Sequence, residues 1–484
     1  MNQVPNISRK KAFNLLFLME LWERFGYYGL QAVLAFFFVT RLNMTDSESF
    51  AIFGAFSAMT YGYVAVGGYI GDKILGTQRT IILGAITLTI GYFIMAIAGD
   101  EKYLVFLSLG TIACGNGLFK ANPSSLLSKI YKDDEKNLDS AFTMYYMSIN
   151  IGAMISMLLV PMISSMYSHS LGFAVCVFGL LAALSTFIGF RYLIRGVDSE
   201  VGLQPVNKKL LLLVIGGTLA VILFSTWLLT NLTVANIIMT VLGVLVYGTF
   251  FKLIIQSQGA ERRKMIAAII LIVEAIVFFT LYQQMPTSLN FFAIHNVETK
   301  ILGFDVPDPQ MFQTLNAFWI MVASPILAII YNRLGERGKD FSMPTKFTMG
   351  VLLTSLSFLW LGVADDVADE SGMVSAWWLV ISYFLSSVGE LLISGLGLSM
   401  ISKLVPQKLV GFLMGAWFFT TAIAAILGGK VASLTSLPED VTNPLMTLPI
   451  YTDVFTKIGI ASMIVTVLMA IGAPKLQRLI DAKD

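Results

Sequence analysis

Apolar runs of near 20 residues recur from one end of this 484-residue chain to the other. A run of roughly 20 residues is the length a helix needs to cross the hydrocarbon core of a bilayer. Inside that core every backbone N–H and C=O must be satisfied within the protein, which leaves the helix as the way to use such runs. The apolar segments fall at 12–40, 50–72, 79–98, 103–128, 141–166, 171–194, 209–230, 234–256, 265–294, 312–332, 346–363, 374–402, 409–435 and 452–474, which makes about fourteen expected spans. Composition agrees. The chain is 56% hydrophobic and 13% charged, against about 25% charged for a soluble domain. So little charge cannot cover a water-facing surface on a chain of this length. The predicted class is therefore all-α and polytopic, with the lipid bilayer as its surroundings. The start, MNQVPNISRKKAFNLLFLMELWERF, has no small-residue cleavage site and carries charges inside its apolar stretch. It is expected to be a retained first span rather than a signal peptide.

An even number of spans puts both termini on one side, and Lys and Arg decide which. One set of alternate loops holds Arg9, Lys10 and Lys11; Lys73 and Arg79; Lys129, Lys132 and Lys136; Arg191, Arg195, Lys208 and Lys209; Arg262, Arg263 and Lys264; Arg333, Arg337, Lys339 and Lys346; Lys403 and Lys408; and Lys475, Arg478 and Lys483. The opposite loops offer Arg41, Lys102 and Lys300 beside the acidic run Asp365, Asp366, Asp369 and Glu370. Termini and basic loops are thus expected to face the cytoplasm.

The spans are unequal. LLLLVIGGTLAVILFSTWLLT and NIIMTVLGVLVYGTFF carry almost no interior polar group and follow the linker around Gly196–Asn207. They read as an insertion between two six-helix bundles: 1–195, then 196–260 for the linker and extra pair, then 261–484. An internal echo supports two halves. GNGLFKANPSSLLSKI runs through a basic loop into AFTMYYMSINIG, and GELLISGLGLSMISKL runs through Val405–Lys408 into GFLMGAWFFTTA. Parallel repeats of this kind characterise the halves of major facilitator transporters.

Ionisable residues inside the spans carry the functional signal, since each costs roughly 2.5–3.5 kcal/mol at a helix centre on insertion scales. Glu20, Glu23 and Arg24 share one face of the first span. One Arg beside two carboxylates suggests more than a structural ion pair. Lys120 lies nine residues before Lys129, hence roughly 13 Å inside the boundary, too deep for easy snorkelling. Arg24, thirteen residues after Lys11, and Glu390, thirteen before Lys403, lie roughly 20 Å deep. Glu274 is a further buried acid. The N-terminal half thus supplies two cations, Arg24 and Lys120, and the C-terminal half an anion, Glu390. A small zwitterion suits that polarity, its carboxylate toward the cations and its amino group toward Glu390. Asn150 and Asn316 are interior amides able to accept from an ammonium group. Tyr27, Tyr28, Tyr61, Tyr145 and Trp417 are aromatic candidates for a pocket wall.

The same residues carry a resemblance. Glu20-Leu-Trp-Glu23-Arg24-Phe-Gly-Tyr27-Tyr28 resembles the ExxERFxYY motif of the proton-dependent oligopeptide transporter (POT) family, within the major facilitator superfamily. Tyr145-Tyr-Met-Ser-Ile-Asn150-Ile-Gly152 is similar to its FYxxINxG motif, and GNGLFKAN to its lysine motif, with Ala121 where Pro is common. GYIGDKILGTQR resembles the superfamily's loop between spans two and three. The similarity extends over essentially the whole chain and is strongest toward enterobacterial members. It implies a proton-coupled symporter for di- and tripeptides in a bacterial inner membrane, working by alternating access as a monomer and without a cofactor. Glu20, Glu23 and Arg24 would couple protons. Arg24 and Lys120 would hold the peptide carboxylate; Asn150, Asn316 and Glu390 would bind its amino terminus; Tyr28, Tyr61 and Trp417 would line the pocket.

Two positions depart from the family pattern. Gln283 stands where many members carry an acid, which removes a proton carrier, and Gln31 stands where many carry an Arg. Other classes fit less well. An enzyme would need a metal or nucleophile cluster, and His169, His295, Cys114 and Cys176 are scattered. A net charge of +2 gives no support to a nucleic-acid partner. A drug/proton antiporter of the same fold has little use for two deep cations, and Glu390 would repel the cargo of a small-anion carrier.

Overall fold

The computed structural model describes residues 8–338, 340–406, 409–438 and 441–482. Lys339, Lys408 and Lys483 of the basic loops lie outside the described residues. The described residues are mostly helical: α1 (Arg9–Leu42), α2 (Asp46–Gly62), α3 (Val64–Tyr69), α4 (Thr77–Ile97), α5 (Lys102–Ile130), α6 (Glu135–Met166), α7 (His169–Phe190) and α8 (Lys208–Thr230). These are followed by α9 (Leu232–Gln256), α10 (Gly259–Tyr282), α11 (Ser288–Asn296), α12 (Thr314–Glu336), α13 (Met343–Gly362), α14 (Trp377–Leu404), α15 (Val410–Ala432) and α16 (Pro444–Ile480). Among the described residues the strands amount to one two-residue hairpin, β1 (Lys300–Ile301) with β2 (Phe304–Asp305).

Thirteen helical segments are long and apolar enough to cross a membrane. The fourteenth expected span, 346–363, is present as the 20-residue α13 but is less apolar, because it includes Lys346 and several hydroxyl residues. Lys346 is accommodated by Asp340 at 2.9 Å and by the Tyr331 ring at 4.2 Å. Between α13 and α14 the chain is polar, and there the Ser371 hydroxyl and Met373 amide hold the Asp369 carboxyl below the usual carboxylate range.

Two compact units result. One contains the described residues up to Asn43 with Ala55–Ala235; the other contains Met44–Gly54 with the chain from Asn236 onward. In the first unit α1 packs on α6 and α7, α4 on α5 and α7, and α5 on α3 and α8. Small residues set the approach of these helices, as is usual where no hydrophobic force between spans assists packing. A Cβ on Gly67 would stand 1.9 Å from the Gly117 carbonyl oxygen, and one on Gly84 would stand 2.8 Å from the Phe119 amide nitrogen. These contacts press α3 and α4 onto the stretch of α5 that carries Asn116 and Lys120. In the second unit α13 packs on α14 and α16, α10 on α15, and α12 on α14. The two bland helices differ in attachment. Thr226 and Ile222 of α8 meet Gly110 of α5, and Tyr247 of α9 bonds Thr420 of α15 at 2.9 Å. Most of their other apolar side chains are exposed, as a lipid-facing surface requires.

The segment expected as a linker, Gly196–Asn207, is folded against the first unit. The Asp198 carboxylate accepts from the amides of Thr77 and Gln78 at 2.6 and 3.3 Å, which caps the N-terminus of α4. Ser199 donates to the Gly71 carbonyl at 2.9 Å, and the Gln78 side chain donates to the carbonyls of Ile194 and Val197. Gly76, at φ +101°, lies so close to Gly202 that a Cβ would come within 2.4 Å of it.

Candidate transport site

In the first unit, α1 carries Glu20, Glu23, Arg24 and Tyr27 buried within the bundle. Their spacing puts the charges one turn apart on one face. Arg24 is 1% exposed. Its Nε lies 3.4 Å from Glu20 Oε1 and also contacts the Glu23 carboxylate, so a single guanidinium does reach both acids. Its Nη2 donates to Asn116 Oδ1 at 3.1 Å, while Asn116 Nδ2 donates to the Thr60 carbonyl at 3.1 Å. The guanidinium carbon lies 5.2 Å from the Tyr27 ring centroid, and the Tyr28 ring meets that of Tyr27 edge-on at 5.4 Å. On α6, Tyr145 donates to Glu20 Oε2 at 2.5 Å. Asn150 of α6 donates to the Tyr146 carbonyl of its own helix at 2.9 Å.

Lys120 completes this cluster differently. Its ammonium lies 4.3 Å from the centroid of the Tyr61 ring. Among the described residues it makes no hydrogen bond and no ion pair. Two carboxylates and two cations thus share the interior of one bundle, with Arg24 engaged by the acids and Lys120 set over an aromatic face.

The second unit holds a smaller cluster. Asn316 of α12 donates to Glu390 Oε2 of α14 at 2.9 Å and to Ser387 Oγ at 3.1 Å. Both Asn316 and Glu390 are buried. Trp417 of α15 packs against Phe279, ring centroids 6.0 Å apart, and over Gly397, where a Cβ would stand 1.9 Å from the indole. Gln283 caps the C-terminus of α10, with its side chain buried against Gly428. Gln31 is buried with its carbonyl oxygen unpaired, and Glu274 is buried with one carboxyl oxygen unpaired.

The structure brings Glu20, Glu23, Arg24 and Tyr145 together, sets Lys120 on Tyr61, and joins Asn316 to Glu390. Two members of the cluster carry no helical-spacing signal in the sequence. Asn116, inside the GNGLFKAN motif, holds the far side of Arg24. Tyr145, an aromatic candidate for a pocket wall, bonds Glu20. Cys114 and Cys176 are buried free thiols, and no group of three His, Cys, Asp or Glu among the described residues is placed to hold a metal.

Long apolar helices with balanced charges closed inside them define a membrane transporter of the major facilitator fold, and relatives bear this out. The chain is 51% identical over 480 residues to dipeptide and tripeptide permease A of Proteus mirabilis, an alignment covering 99% of this chain and 98% of that one. It is 49% identical over 475 residues to dipeptide and tripeptide permease B of Salmonella typhimurium, covering 98% and 97%. Its fold is similar to the crystal structure of tetrameric PepTSo2, with a TM-score of 0.88 at 39% identity over 98% of this chain and 100% of that one. A peptide transporter POT in complex with sulfate is similar at TM-score 0.83 and 28% identity, over 97% and 95%. The pattern of the POT family (PTR2) matches residues 78–449. The chain belongs to the POT family.

Proposed function

We propose that this chain is a proton-coupled symporter that imports di- and tripeptides across a bacterial inner membrane by alternating access. Both termini face the cytoplasm and one chain is the working unit, with bundles at 1–195 and 261–484 and an insertion at 196–260. The relatives named as dipeptide and tripeptide permeases support peptides as cargo. The observation that carries the reading is Lys120: a deep ammonium on the Tyr61 ring with no carboxylate paired to it among the described residues, beside an Arg24 already shared by two acids. Such a cation is available to an incoming carboxylate, and in a dry site the charged hydrogen bond it forms is about twice as strong as a neutral one.

The roles divide by charge. Arg24 and Lys120 hold the peptide carboxylate. Glu390, with Asn316 and Asn150, takes the amino terminus. Tyr28, Tyr61 and Trp417 supply apolar wall, so recognition rests on the termini and tolerates varied side chains. Glu20 and Glu23 compete with the peptide for Arg24, and a proton on one of them releases the guanidinium to the substrate. Uphill import draws on the membrane potential, which supplies about 2.3 kcal/mol per charge per 100 mV.

The test is uptake of a labelled dipeptide into liposomes holding the purified protein. Accumulation above the outside concentration is expected only with an inward proton gradient. Equal accumulation with and without the gradient rules out coupling, and no uptake in either case rules out peptides as cargo.

A further inference from the structure

Away from the transport cluster, the first unit contains a cavity of about 580 Å³ where the end of α7 meets the start of α4. Arg79, Arg191 and Arg195 line it, with Asp198 as the acid among the lining residues. The acid is occupied, since its oxygens accept from the amides of Thr77, Gln78 and Ser199. Arg79 is partly used, donating to the carbonyls of Leu75 and Gln204. Arg191 and Arg195 are exposed, and among the described residues their side chains make no hydrogen bond or ion pair. Three guanidinium groups against one carboxylate leave an excess of two positive charges around a concave space.

The surroundings are apolar. Tyr192 and Leu203, which also line the cavity, are 64% and 60% exposed, and Phe190 beside them is 50% exposed. The cavity lies where two membrane spans end, Thr77–Ile97 and His169–Ile194. That position at the ends of spans corresponds to the level of the headgroups, where exposed aromatic side chains such as Phe190 and Tyr192 are favoured. Basic pockets between spans at this level are suited to anionic headgroups. Guanidinium adds planar, two-point recognition of phosphate oxygens.

We infer that this cavity binds the phosphodiester headgroup of an anionic membrane lipid, through Arg191 and Arg195, with its acyl chains against Phe190, Tyr192 and Leu203. The chemistry is that of phosphate, which a free anion shares. The lipid source is favoured by the exposed apolar side chains at the rim, which phosphate alone would leave in water. The occupant would bear on the folded segment at 196–204, which closes one side of the cavity and caps α4 through Asp198. Bound lipid would hold that segment in place on the first unit.

The experiment uses the full chain in detergent, with bound lipid counted by native mass spectrometry during titration with phosphatidylglycerol or phosphatidylcholine. Phosphatidylglycerol is expected to bind preferentially, and Arg191→Gln with Arg195→Gln is expected to weaken it by roughly thirtyfold. Lys208→Gln with Lys209→Gln, outside the cavity, is expected to keep the preference. Because the Arg191 and Arg195 side chains have no partner among the described residues, melting of the double variant should match that of the unaltered protein. An unchanged preference in the Arg191/Arg195 variant, or an equal loss in both double variants, overturns the assignment. Inorganic phosphate that protects the protein while the two lipids bind alike would assign the cavity to a free anion and overturn the lipid reading.

Discussion

Tyr145 donates a hydrogen bond to Glu20 across 125 residues of sequence, at 2.5 Å and out of contact with solvent. The two residues come from the two most distinctive motifs of the chain, so the motifs meet in one cluster. Hydrogen bonds to charged groups are worth about 1.5–3 kcal/mol. Tyr145→Phe removes this one and leaves the ring. Proton-driven dipeptide accumulation is expected to fall by roughly tenfold, with less effect on exchange of peptide across the membrane. Equal loss of both activities would mean that the hydroxyl serves binding or folding rather than the coupling acid.

Lys120→Ala tests the available cation. The cation–π contact it loses is worth about 0.5–2 kcal/mol, too little to unfold the bundle. Uptake is expected to drop at least tenfold at a normal level of inserted protein, since a charged partner for the peptide carboxylate is gone. Uptake measured against membrane abundance decides, and near-normal transport at normal abundance would exclude the role.

Glu390→Gln leaves Asn316 with a neutral neighbour in place of the carboxylate it now bonds. A peptide ammonium would then meet only neutral acceptors, with bonds about half as strong. Free dipeptides are expected to lose their advantage over N-acetylated ones in competition for uptake. A variant that retains the full preference for the free amine would move the amino-terminal anchor elsewhere.

Asp198→Ala tests the folded segment after α7. Loss of a helix N-cap costs about 0.5–2 kcal/mol, and here it also removes the segment's bonds to the Thr77 and Gln78 amides. A lower melting temperature and faster tryptic cleavage between Arg195 and Lys208 are expected. Unchanged cleavage would show that the remaining contacts of Ser199 and Gln78 suffice.

The pattern of what the sequence disclosed follows the range of each interaction. Spans were legible because apolar length alone decides them, and the α13 segment was found although Lys346 lowers its hydropathy. The Glu20, Glu23 and Arg24 group was legible because helical spacing fixes which residues share a face. That Arg24 reaches both acids was not, because spacing does not give the path of a long side chain. Asn116 lies 92 residues from Arg24, and Asp198 lies 121 from Thr77. Neither pairing leaves a periodic trace. The stretch Gly196–Asn207 therefore reads as a linker from its glycines, proline and polar residues, and only the helix end it caps reveals it as folded structure.

In the proposed transport cycle Glu20 and Glu23 are the proton carriers beside Arg24, and Gln283 is uncharged. Transport that is coupled needs a proton to leave the cluster when the peptide does, whereas peptide–peptide exchange needs only binding and rocking. Counterflow and proton-driven uptake should be measured in the same liposomes for Glu20→Gln and for Glu23→Gln. The account predicts that gradient-driven accumulation is abolished in at least one of these variants while labelled peptide still exchanges. If both accumulate dipeptide against its gradient as well as the unaltered protein does, the proton is carried elsewhere, and the buried Glu274 with its unpaired oxygen is the next group to change.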